Sequence, residues 1–253
     1  MKQNAGQMIP PEVLLAVAAI ALLSGTLIGM MGVGGVLLVP LLTGALGLPL
    51  VESIAAAACG FLASGVVAVA FHAREGRLRA GTSLLLWIAA GAGALAGAAA
   101  LLRIPPSFVA GFIAFVAIVS GAASLSNRTR ADDAPLKSGP VVALGTVTGV
   151  GSALSGTGGA VVLLPLLLLR GSTVRSAIAY AQSVQIPIAL FATAFYIKAG
   201  VLNPALAGAA AIGLVPGTAL GARIAARLPY DTLRRIVASI LIAVGGWYGA
   251  SLA

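Results

Sequence analysis

The chain carries one pattern twice. Residues 25–103 contain GTLIGMMGVGGVLLVPLL, then FHAREGRL, then GALAGAAALLR; residues 149–227 contain GVGSALSGTGGAVVLLPLL, then FYIKAGVL, then GTALGARIAAR. Landmarks recur at one separation: Gly25/Gly149, Gly32/Gly156, Gly34/Gly158, Gly35/Gly159, Phe71/Phe195, Gly76/Gly200, Gly97/Gly221, Arg103/Arg227 and Pro105/Pro229. Pro40 and Pro165 are off by one, so a single residue is inserted between the glycine cluster and Pro165. Such a chain must build two copies of one unit. Each copy opens on an apolar run interrupted by glycines.

Composition selects the solvent. Of 253 residues, 60% are hydrophobic and only 8% charged, against roughly 25% charged in soluble domains. The apolar runs approach the ~20 residues that cross a bilayer. Their polarity does not alternate as in a transmembrane β-barrel. The expected class is an all-α integral membrane protein. The net charge of +9 sits in short connections, where it orients a membrane protein. Basic patches with interleaved aromatics are missing, which argues against nucleic acid. A single cysteine, Cys59, and a single histidine, His72, exclude an intrachain disulfide, a multi-thiolate site and a His-rich metal centre. No cofactor is implied. The lysine and apolar run at the N-terminus imitate a signal peptide, but the same segment recurs near residue 149.

The apolar segments are about 13–46, 51–72, 82–102, 107–125, 140–169, 174–197, 204–222 and 230–251. They divide into a first membrane repeat (13–126), a polar linker (127–139) and a second membrane repeat (140–251). Segments one and five are too long for one ordinary span, and each holds clustered glycines followed by a proline. Glycine costs ~1 kcal/mol relative to alanine inside a helix, so four in a turn or two predict a break. Such a break must be enclosed by protein or line a cavity, because lipid cannot satisfy freed backbone groups. The small-residue stretches 91–100 and 219–226 read as close helix contacts. Ser107 and Asp231 are placed to cap the fourth helix of each unit.

The basic residues decide between topologies. If all eight segments cross, Lys and Arg divide eight against seven. If segments one and five enter and return on one side, twelve lie inside, and only Lys2, Arg103 and Lys198 lie outside. That is the asymmetry of the positive-inside rule. The expectation is six full crossings, two re-entrant elements, two mutually inverted repeats and both termini outside. A variant in which segment one alone crosses divides thirteen against two but breaks the repeat.

Matched, glycine-broken segments in the two halves of a membrane protein point to a binding site. A helix that starts after such a break presents unpaired N–H groups and a positive dipole end. Consecutive glycines bring those amides close to an anion. Gly32, Gly34 and Gly35, with Gly156, Gly158 and Gly159, therefore form a candidate cradle for a small oxyanion. Ser155 and Thr157 add hydroxyl donors. Gln182, Ser183 and Gln185 are polar in the sixth segment; the two glutamines, three apart, are expected on one helical face toward the core or a water-filled path. Cys59 occupies the matching place in the first unit. His72, Glu52 and Arg175 lie at segment ends and are candidates for gating or coupling. All six carboxylates lie at ends or in loops, so no mid-span carboxylate serves a proton relay or the usual Na⁺ site.

The doubled GxxGxGG with its apolar run and proline, the alanine-rich second helix and the FHAREGRL/FYIKAGVL ends resemble the TauE/SafE sulfite exporter family from Gly25 to about Tyr248. Val36 and Ala160 stand where many relatives continue with glycine. The resemblance implies a protein of the bacterial cytoplasmic membrane that moves sulfite, organosulfonates or related anions, usually outward. Its partners would be a small anion and the lipid bilayer; a homo-oligomer is compatible. Two other classes remain open. An intramembrane hydrolase would use Ser155 in ALSGTG with His72 as base, but Met31 occupies the matching place in the first unit. The other is an anion channel or a non-transporting membrane subunit.

Overall fold

In a computed structural model, residues 9–74, 80–126, 138–170, 172 and 174–251 are described. All regular structure among them is helical: α1 (Pro11–Met31), α2 (Gly35–Pro40), α3 (Leu50–Arg74), α4 (Ala80–Leu101), α5 (Pro106–Ser126), α6 (Ser138–Ser155), α7 (Ala160–Leu169), α8 (Val174–Ser183), α9 (Gln185–Lys198), α10 (Pro204–Ala225) and α11 (Tyr230–Ala250). Among the described residues, five stretches are long and apolar enough to cross a membrane: Pro11–Met31, Leu50–Phe71, Leu84–Leu101, Ser176–Lys198 and Pro204–Ala225.

Both long segments break at their glycines. Gly32 closes α1 in the left-handed region (φ 81°), and its amide donates to the Ile28 carbonyl at 2.6 Å, as glycine does past a helix end. The chain then doubles back. A side-chain carbon on Gly34 would fall on the Ser24 carbonyl and on Ile28 N and Leu27 Cβ, so α2 starts against the last turns of α1. Pro40 lacks the amide that an α-helix needs, and α2 continues as a π-helical turn over Leu41–Ala45. The second break spans 156–159 between α6 and α7, with Gly156, Gly158 and Gly159 at φ 64°, 76° and 98°.

The repeats interlock. α1 packs chiefly on α10, and α6 on α4. A side-chain carbon at Gly25 would meet Leu214, and one at Gly149, its counterpart, would meet Ala90, the counterpart of Leu214. Gly217 faces Leu22 and Thr26, while Gly93 faces Thr146; Gly221 faces Thr26, while Gly97 faces Val150. The small-residue stretches are thus the seams on which the two copies exchange helices. Residue numbers rise together in both seams, so α1 runs parallel to α10 and α6 parallel to α4. α5 packs on α11. There Gly121 faces Ala238, Leu241 and Ile242; Gly245 faces Ala114, Ala117 and Ile118; and Gly249 faces Ala114. Numbers rise on one helix as they fall on the other, so these counterparts are antiparallel.

Two expectations need correction. The sixth segment is not one helix: α8 and α9 meet at Val184. Pro187 cannot donate to the carbonyl four residues back, which interrupts the hydrogen-bond ladder there. Nor does Asp231 cap α11. Pro229 takes the cap position, and Asp231 lies inside the first turn, where its charge favours the helix dipole. Ser107 likewise lies inside α5, which starts at Pro106. Asn203 does cap α10, accepting from the amides of Ala205 (3.0 Å) and Leu206 (3.3 Å).

Candidate functional site

The two breaks meet. A side-chain carbon on Gly35 would strike the Thr157 carbonyl; one on Gly32 would lie 3.4 Å from Ala160 Cβ; one on Gly156 would lie 2.8 Å from Val39 Cγ2. Glycine is needed here for close approach as much as for its backbone angles. Among the described residues, no backbone carbonyl accepts from the amides of Val33, Gly34, Gly158 or Gly159. Buried amides without partners are rare. Four amides at the two breaks thus have no backbone acceptor.

The hydroxyls of the second break are already engaged. Ser155 Oγ donates to the Gly151 carbonyl at 2.7 Å and stands 3.0 Å from Thr157 Oγ1. Since the serine proton goes to Gly151, the threonine is the donor between them. Neither is a vacant donor in this state. The Ser155 arrangement is also not that of an activated nucleophile, whose proton must point at a base.

The polar residues of the sixth segment separate. Gln182 and Gln185 are both buried (2% and 1% exposed), but they lie on the consecutive helices α8 and α9 and have different partners. Gln182 Nε2 donates to the Ile28 carbonyl at 2.8 Å, and its chain lies over Gly32. It therefore seals the end of α1 at the first break. Gln185 Nε2 donates to the Phe61 carbonyl (3.0 Å) and to Ser64 Oγ (2.7 Å) on α3. Ser183 Oγ donates to the Tyr180 carbonyl (2.8 Å) and accepts from the indole of Trp87 on α4 (3.1 Å). The two glutamines are buried, as expected, and they bond to different neighbouring helices, α1 and α3.

A small cavity, scarcely wide enough for one water, adjoins the second break. It is lined by Ala58, Phe61, Ser152, Ala153, Gly156, Gly158, Ile188, Ala189 and Ala192. Sequence reading missed three side chains around it. The Phe61 ring faces Gly158. Tyr196, wholly buried, donates its hydroxyl to the Ala153 carbonyl at 2.8 Å and fixes the last turn of α6. Ser152 carries a buried hydroxyl at the cavity wall. Only Tyr196 stood out in the sequence, as the counterpart of His72. Cys59 is half-buried and does not line the cavity. Glu52 sits in the first turn of α3. The side chains of His72 and Arg175, on α3 and α8, lie outside the described residues, as do linker residues 127–137. Among the described residues no group of His, Cys, Asp and Glu could hold a metal ion.

Neither the curated proteins nor the solved structures include a significant match. The model of the sulfite exporter TauE/SafE family matches residues 16–248. That span takes in both breaks, all their packing partners and the helices that cross between the copies. The chain therefore belongs to the sulfite exporter TauE/SafE family, whose members are multi-pass membrane transporters.

Proposed function

We propose that this protein exports a small oxyanion, sulfite or a related sulfonate, across the bacterial cytoplasmic membrane, and that the two facing glycine breaks bind it. The observation that carries this reading is the meeting of the breaks with four amides that no backbone carbonyl accepts from. Oriented amides at a low-dielectric site attract an anion without burying a permanent cation, which would cost more to desolvate.

The helix directions support two inverted repeats (13–126 and 140–251) joined by the linker 127–139. Suppose α3, α4, α5, α8/α9, α10 and α11 cross in alternation. The antiparallel pairing of α5 and α11 fits only if segment five enters and returns on one side; were it to cross, the two helices would be parallel. The parallel pairing of α1 and α10 then fits only if segment one also starts outside and returns. α1 alone, at 21 residues, would reach about 31 Å, so its first turns extend toward the surface, where Pro11 and Glu12 are exposed. Both termini lie outside in this arrangement. A C-terminal reporter active only in the cytoplasm should stay dark.

An interior-negative potential contributes ~2.3 kcal/mol per charge per 100 mV toward anion exit. Export driven by this potential needs no mid-membrane carboxylate; coupling to a proton gradient would run through His72 or a protonated substrate. Binding is tested by thermal unfolding of purified protein with sulfite, sulfate, thiosulfate and organosulfonates, since a ligand of the folded state raises its stability. Sulfite or a sulfonate should raise the midpoint with concentration. A midpoint that none of them moves beyond a chloride control overturns the reading.

A further inference from the structure

Six buried hydroxyls have no hydrogen-bond partner among the described residues: Ser24, Ser53, Thr148, Ser152, Thr193 and Thr218. Only one of them, Ser152, lines the cavity beside the second break. It is 1% exposed. A helical serine ordinarily donates to the carbonyl one turn back, as Ser155 does to Gly151 and Ser64 does to Phe61. Ser152 does not. A buried hydroxyl without a partner is destabilising, so its place on a cavity wall calls for an acceptor that enters from elsewhere.

We infer that Ser152 is a substrate-binding residue: its Oγ donates to one oxygen of the transported oxyanion held at the second break. This inference rests on the oxyanion reading above and assigns it a side chain. The rest of the cavity wall supports an anion rather than a cation. It offers apolar surface, the ring of Phe61, and the glycines 156 and 158, but no carboxylate. The cavity in this state is scarcely wider than one water, so it takes a single oxygen of the anion, and any organic tail of a sulfonate must lie outside it. The site is also one-sided. The counterpart of Ser152 in the first unit is Ile28, whose side chain has no donor, and the first break is filled by Gln182. The two-fold cradle is therefore chemically unequal, with the hydroxyl on the second half alone.

The test compares wild type with Ser152→Ala in proteoliposomes loaded with sodium sulfite, and in detergent by thermal unfolding with and without sodium sulfite. Ser152→Ala should raise the KM for sulfite efflux about tenfold, the loss expected for one hydrogen bond to a charged group. It should shrink the sulfite-induced rise in midpoint. It should leave the ligand-free midpoint unchanged or higher, because the deleted hydroxyl had no partner. Ser152→Cys keeps the shape with a weaker donor and should fall between the two; it also serves should the alanine variant be recovered poorly. Equal KM and equal sulfite-induced shift in wild type and either variant overturn the role of Ser152 while leaving the oxyanion reading standing. Wild type that neither carries sulfite nor is stabilised by it overturns both.

Discussion

The two breaks share a glycine pattern and finish differently. At the first, only Gly32 adopts a left-handed backbone; Gly34 and Gly35 serve close approach, one to the Ser24 carbonyl of its own unit and one to the Thr157 carbonyl of the other. The opening is closed by Gln182, whose amide reaches the Ile28 carbonyl. At the second, Gly156, Gly158 and Gly159 are all left-handed, two hydroxyls bond each other and the preceding turn, and a cavity remains. The first break is a packed wall and the second holds the space. Duplication supplied the same hinge twice, and neighbours outside the motif made the halves unequal.

Substitutions can break or sharpen that contrast. The largest effect is expected at Gly34. A valine there would place Cβ within 2.6 Å of Ile28 N and of Leu27 Cβ, in a wall with no slack. The loss should be about 3 kcal/mol or more, the upper range of overpacking, seen as loss of monodisperse protein. Gly158→Val comes next. The strain of a left-handed β-branched residue is about 1–2 kcal/mol, and Phe61 atoms lie 3.2 Å from the new carbon. Here flux should vanish while insertion and assembly survive. If the two variants behave alike, the distinction between packed wall and open cavity fails.

Gln182→Ala tests the seal. It removes the amide from the Ile28 carbonyl, which keeps its bond from Gly32, so stability should fall by about 1–2 kcal/mol in thermal unfolding. Gln185→Ala deletes bonds to both Phe61 and Ser64 and should cost at least as much. Trp87→Phe removes only the indole bond to Ser183 and should cost about 1 kcal/mol. The smallest effect is expected at Cys59. It is half-buried and off the cavity wall, so Cys59→Ala should change efflux less than twofold. A larger change would place the Cys59 face of α3, not only Ala58 and Phe61, in the substrate's path.

Much of this fold is legible in the chain because the signals are local. Glycine clusters in over-long apolar runs mark breaks, and the breaks fall there to within a residue or two. The small-residue stretches read as helix seams and are seams. The sixth segment was misread because Pro187 sits in an apolar run of normal length, where hydropathy does not register a missing amide. Ser155 and Thr157 read as free donors because spacing does not reveal that each has a partner within four residues. Ser152 escaped notice because nothing in its own neighbourhood distinguishes it from the other serines and threonines of α6.

What the sequence alone determined is the class of solvent, the duplication and the places where helices must stop. Each follows from the chemistry of a short stretch: apolar content, glycine's freedom at positive φ, proline's missing amide. Only the tertiary structure decided that each unit's first helix packs on a helix of the other, that Gln182 reaches Ile28 across 154 residues of chain, and that Ser152 rather than Ile28 meets a cavity. Those outcomes depend on which surfaces are pressed together by packing in three dimensions, and no local stretch encodes its distant neighbour.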